Sequence, residues 1–120
     1  MNNVTNSILP QNYQFKRPNR IGLLVNGVIK MYSIDEIIYL EGKRNYTNVV
    51  TSIESIIITK TLNTLHLKLP DSFVRIHKSY VLNINACTYI DMNQRHVITT
   101  NNELLPISIR LKKNLDKFIL

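Results

Sequence analysis

Glycine is scarce in this sequence, with three residues, Gly22, Gly27 and Gly42, among 120. Neither a dinucleotide fingerprint nor a phosphate-binding loop can be written with them, which closes the commonest nucleotide-cofactor routes. Cysteine occurs once, as Cys87, so an internal disulfide framework is excluded and a reducing, cytoplasmic setting is expected. No run of about 18 uninterrupted apolar residues exists, so no transmembrane helix is expected. The N-terminus carries Asn, Thr, Gln and Pro where a signal peptide needs an apolar core. Acid is also short: eight Asp plus Glu against 15 Lys plus Arg give a net charge of +7 and a pI near 9.7. That surplus favours an acidic partner, nucleic acid or an anionic membrane surface, and says nothing about fold. With 44% hydrophobic residues, the length suits one domain with one core and leaves no room for a second.

What is abundant is β-branched. Ile supplies 17 residues, and Ile, Val and Thr together 34, side chains stiff at χ1 that pack well on pleated surfaces. A mainly β fold follows. Residues 1–20 differ, being Asn-rich, with two prolines and with Lys16, Arg17 and Arg20 but no acid, and are expected to form a flexible basic arm. The domain proper then spans 21–120. It opens with the runs 21–25 and 28–32 joined by Asn26-Gly27, a type I′ hairpin signal. Strands are expected over 37–41, 47–53, 56–60, 73–77, 86–92, 95–100 and 104–107, separated by polar turns. Leu62, Leu65 and Leu69 recur at helical spacing between a Thr61 cap and Pro70, which predicts a short internal helix. Ser108 is placed to cap a C-terminal helix with Leu111, Leu115, Phe118 and Ile119 as its apolar stripe.

Cations and amides concentrate in three places: Lys43-Arg44-Asn45-Tyr46-Thr47-Asn48, Arg75-Ile76-His77-Lys78-Ser79, and Ser108-Ile109-Arg110 with Lys112 and Lys113. Lys, Arg, Ser and Asn side chains suit phosphate oxygens, and Arg, Lys and Asn can read base edges. Each cluster also has a plainer reading: a solvated turn, a structural polar pair of Arg75 and His77, and the wet face of a helix. An enzyme is not expected. His66, His77 and His96 show no metal-ligand spacing with one another or with Cys87, and the acids are too scattered for paired-carboxylate chemistry. No cofactor, metal or small-molecule ligand is indicated. Two other binding classes stay open: a β-rich RNA module stacking bases on Tyr39, Tyr46, Tyr80 and Tyr89, and a protein-interaction module offering a sheet edge.

The order of these residues resembles a known family. The run Phe73-Val74-Arg75-Ile76-His77-Lys78-Ser79-Tyr80-Val81-Leu82-Asn83 is similar to the F-x-R-x-H-x-S segment, followed by V-x-N, of the LytTR DNA-binding domain. Tyr39-Leu40-Glu41 with Tyr46, the leucine-spaced helix, and Leu105-Pro106-Ile107-Ser108 resemble its other elements in the same order. The resemblance implies an elongated arrangement of small antiparallel sheets with a short internal helix and a C-terminal helix. It implies a bacterial transcription regulator of the two-component output type, with loops entering successive major grooves at direct repeats, and with homodimerisation on the DNA as an option. By position it implies Thr47, Asn48, Lys78 and Arg110 at base edges. Lys43, Arg44, Arg75, His77, Ser79, Lys112 and Lys113 then fall at phosphates. The chain departs from the family pattern where Ile109 separates Ser108 from Arg110, and where Lys78 stands in place of a common Arg, a point charge instead of a bidentate fork.

Overall fold

The computed structural model describes residues 19–120. The expected arm lies outside the described residues as far as residue 18, while Arg20, assigned to it above, instead begins the first strand and pairs with Ser33. Strands β1 (Arg20–Val25) and β2 (Val28–Ser33) form the hairpin. Asn26 (φ 51°) and Gly27 (φ 79°) both take the left-handed conformation that a type I′ turn demands. A single 3-10 turn over Ile34–Glu36, with the Glu36 carboxylate accepting the Ser33 N–H at 2.7 Å, leads into β3 (Ile37–Lys43). Then follow β4 (Tyr46–Thr51), β5 (Ser55–Ile58) and the five-residue helix α1 (Leu62–His66). The Thr61 hydroxyl accepts the Thr64 N–H at 3.3 Å, capping α1 as its sequence predicts. Beyond it lie β6 (Phe73–His77), β7 (Tyr80–Asn83), β8 (Cys87–Asp91), β9 (His96–Thr99) and β10 (Leu104–Pro106).

All pairings are antiparallel, in three sheets: β1-β2, the five-stranded β5-β4-β3-β7-β6, and β10-β9-β8. The expected mainly β architecture of small sheets is what forms. The central sheet is covered on both faces. On one, Leu40, Val49, Phe73 and Val81 pack with Leu23 and Tyr32 of the hairpin and with Leu62 and Leu69. On the other, Tyr39, Val50, Val74, Ile76 and Leu82 pack with Val97, Leu105, Ile107 and Leu115 of the C-terminal part. A strand buried on both faces reads as a continuous apolar run, as Ile37-Ile38-Tyr39-Leu40 does. A bulge between Ile37 and Tyr39 lets Ile38 and Tyr39 serve the same core.

Two elements differ from expectation. No strand was expected over 80–83, yet β7 sits between β3 and β6 and joins the two halves of the central sheet. Its four residues, squeezed between two turns, are too few to show a period. The C-terminal segment Lys112–Phe118 is 3-10 helix instead of an amphipathic α-helix. Leu111 and Leu115 are buried as expected, but Phe118 and Ile119 are exposed. Ile119 has already left helical geometry (φ −102°, ψ 132°) and cannot continue the stripe.

Candidate nucleic-acid interface

The three cationic clusters lie at one end of the central sheet because of its pairing. β3 and β7 are antiparallel neighbours with Glu41 opposite Tyr80, so the β3–β4 turn and the β6–β7 turn emerge side by side. The Gly42 N–H donates to the Ser79 carbonyl at 2.8 Å and ties one turn to the other. The third cluster is fastened to β6: the Ser108 N–H donates to the Ile76 carbonyl at 2.9 Å, and Asn114 Nδ2 donates to the Arg75 carbonyl at 2.9 Å. Between the first two turns and the start of α1 is a slot of about 260 Å³, lined by Lys43, Arg44, Asn63, Arg75, Lys78 and Ser79 among others. A second, wider groove of about 500 Å³ runs past Arg75 to Lys113, Asn114 and Lys117.

Arg75 organises this end. Its Nε donates to the His77 carbonyl at 2.8 Å, its Nη1 to Asn63 Oδ1 at 2.7 Å, and its Nη2 to the Lys78 carbonyl. One planar guanidinium thus holds the β6–β7 turn and anchors it to α1, a task that suits Arg and not Lys. Burial, and after it the charge of Arg110, lowers the Arg75 pKa. His77 is also a brace. Its Nδ1 accepts the Ser79 N–H at 3.1 Å, and its ring stands edge-on to Tyr80 at 5.7 Å. Burial, then the charges of Lys78 and Arg75, push its pKa below the ordinary 6.5. The imidazole is therefore neutral at pH 7, with its proton on Nε2, and adds no cation to the surface. Tyr80 donates to Glu41 Oε2 at 3.0 Å, and Lys43 pairs with the same oxygen at 3.1 Å.

The expected site residues sort by exposure. Lys43, Arg44, Lys78, Arg110 and Lys113 are exposed and Lys112 and Ser79 half-buried; Lys43 ends β3, Arg44, Lys78 and Ser79 stand in turns, and Arg110, Lys112 and Lys113 lie in the segment after β10. Thr47 requires a correction. It is fully buried, and its hydroxyl donates to the Lys60 carbonyl at 2.7 Å, so it cannot touch a base. Thr47 and Asn48 belong to β4, and the turn is only Arg44-Asn45. The signal was present in the alternation, because Thr47 is in phase with Val49 and so faces the core. Asn48 is half-buried on the opposite face, where its Oδ1 has no partner among the described residues. Asn45, exposed at the turn's tip next to Arg44 (φ 26°), escaped the sequence reading as a candidate in its own right. Asn83 of the V-x-N motif is structural: fully buried, it donates from Nδ2 to the Ile37 carbonyl at 2.8 Å and accepts the Asn85 N–H at 3.1 Å.

Among the described residues, no three His, Cys, Asp or Glu side chains converge as a metal site, and no helix is long and apolar enough to cross a membrane. The sensory transduction proteins LytT of Bacillus subtilis and Bacillus cereus are each 29% identical to this chain over 105 residues. Those alignments cover 84% of this chain but 44% and 43% of the relatives, so the chain spans less than half their length. A solved LytTr DNA-binding domain from Bacillus cereus superposes with a TM-score of 0.67 at 24% identity, over 85% of this chain and 94% of that one, which establishes the likeness of fold. Residues 27–119 match the family described as the LytTr DNA-binding domain. On that match, which spans most of its length, the chain belongs to the LytTr DNA-binding domain family.

Proposed function

We propose that this chain is a sequence-specific regulator of transcription that binds duplex DNA through turns presented at one end of its central sheet. The observation that carries the reading is the stitching of three cation-bearing segments to one another, through Gly42 to Ser79 and Ser108 to Ile76. The only α-helix among the described residues has five residues and turns Leu62 into the core, so it offers no recognition helix. A major groove about 12 Å wide admits a pair of tight turns as well as a helix. In this reading Lys78 and Arg110 reach base edges, while Lys43, Arg44 and Lys113 meet phosphates. Arg75 and His77 set the shape of the turn that carries Lys78. Segments 43–46 and 77–80 enter one groove and 108–113 the next, and two tandem half-sites are engaged by two copies of the chain.

Selection of bound fragments from random duplexes returns a consensus and its repeat spacing. Gel shifts then compare one half-site, two tandem half-sites, and single-stranded RNA of the same sequence. Tight retention of the tandem duplex is expected. Equal or tighter retention of RNA overturns the reading, and equal affinity for one and two half-sites removes the tandem arrangement.

A further inference from the structure

Between the hairpin, the hairpin-facing side of the central sheet and α1 there is a second kind of cavity, of about 280 Å³. Its walls are mainly aliphatic, with Leu23, Leu40, Val49 and Leu65 among them, and Thr59, Lys60 and Lys68 are its polar side chains. Both lysines are exposed, and neither is in an ion pair among the described residues. At about 30 Å³ for each methylene-sized group, the space holds an apolar body of roughly eight or nine carbons. An apolar cavity of this kind is not a site for nucleotides or phosphates. A greasy tail inside and two unpaired cations beside it complement an anionic head on a single short chain. Any polar group taken fully inside would go unpaired, so the head stays at the lysines.

The same wall reaches the cationic end. α1 turns Leu65 toward the cavity, while Asn63, two residues earlier, accepts the Arg75 bond that fixes the β6–β7 turn. Leu62 seats α1 against Gly42, where an added Cβ would meet the Leu62 Cβ at 3.1 Å. A change in how α1 sits is therefore felt at both turns that flank the slot. We propose that this cavity binds a free medium-chain carboxylate, and that its occupancy is transmitted through α1 to the DNA-binding end. The binding half of this inference is independent of the DNA reading, and the transmission half rests on it.

The test uses the full chain and octanoate below its micellar range, with binding read from leucine and valine methyl NMR shifts and from the melting temperature, both without DNA. Saturable one-to-one binding is expected, with shifts at Leu23, Leu40, Val49 and Leu65, a raised melting temperature, and weaker binding of octylammonium. The surface double variant Lys60→Gln, Lys68→Gln folds as the parent does and loses about fivefold in octanoate affinity, with no loss toward octanol. Absence of saturation overturns the site. So do equal affinity for octylammonium, shifts confined to Val28, Leu67 and Leu104, exposed side chains outside the cavity, or binding only to phosphatidylglycerol vesicles. The DNA-binding midpoint measured with and without octanoate tests transmission. A shift in the parent that needs about fivefold more octanoate in the double variant supports it, and an unchanged midpoint at saturating octanoate overturns it. A chain that retains no DNA but saturates with octanoate defeats the functional reading and leaves the site standing.

Discussion

Replacing Arg75 by Lys separates charge from geometry at the centre of the proposed interface. The substitution keeps the net charge of +7, but a lysine ammonium cannot span the His77 carbonyl, the Asn63 side chain and the Lys78 carbonyl that the guanidinium now holds together. At best one of the three bonds survives. Hydrogen bonds to a charged group contribute about 1.5–3 kcal/mol each when shielded, and much less where water competes. Arg75 is half-buried, so loss of two bonds is set at about 1–2 kcal/mol of local stability in the β6–β7 turn. If the turn must be ordered to bind, that cost passes to DNA affinity as roughly a 5- to 30-fold loss. Fluorescence anisotropy on the selected duplex measures the affinity, and amide hydrogen exchange at Lys78 and Ser79 measures the turn. Faster exchange should accompany weaker binding in Arg75→Lys. If Arg75→Lys binds as the parent does with unchanged exchange while Arg75→Met binds poorly, Arg75 acts as a phosphate contact and the bracing argument is wrong.

Lys78→Ala and Arg110→Ala should each cost about 1–3 kcal/mol on the selected site and flatten discrimination among base substitutions, whereas Lys113→Ala should weaken all duplexes alike; titrations on a panel of single-base variants decide between these roles. Thr47→Val removes a buried bond to the Lys60 carbonyl, so urea unfolding should show a loss of about 1 kcal/mol with the base preference of the bound site unaltered; an altered consensus would return Thr47 to the interface. The pKa of His77 is lowered in the folded state, so below about 6.5 the unfolded chain binds the proton more readily and stability must fall as pH drops through that range. The part of this fall due to His77 should vanish in His77→Asn, and melting curves between about pH 5 and 8 that stay parallel for the two proteins would count against a neutral, bracing imidazole.

How much of this was legible in the sequence depends on the range over which each feature is encoded. The hairpin was readable because Asn26-Gly27 is a local signal whose two positive φ values follow from the residues themselves. The Thr61 cap was local in the same way. β7 was not, since its four residues owe their strand character to β3 on one side and β6 on the other, partners 39 and eight residues away in their register pairs Glu41–Tyr80 and Val74–Leu82. The site shows the same division. Charge and turn placement named Lys43, Arg44, Lys78 and Arg110, and the structure exposes all four. Thr47 failed because its motif neighbourhood was weighed above its own alternation with Val49 and Thr51, both buried with it. Arg75 and His77 carry polar groups that would serve a phosphate well, and only tertiary contacts reveal that Arg75 Nε and Nη2 and His77 Nδ1 hold the turn while Arg75 Nη1 ties it to Asn63. A polar motif in a turn can act by touching a ligand or by fixing the shape that lets a neighbour touch it. For this chain the half-burial and bonding of Arg75 and His77 beside the exposure of Lys78 favour a division of labour, in which Arg75 and His77 hold the turn and Lys78, in the proposed function, reads the base.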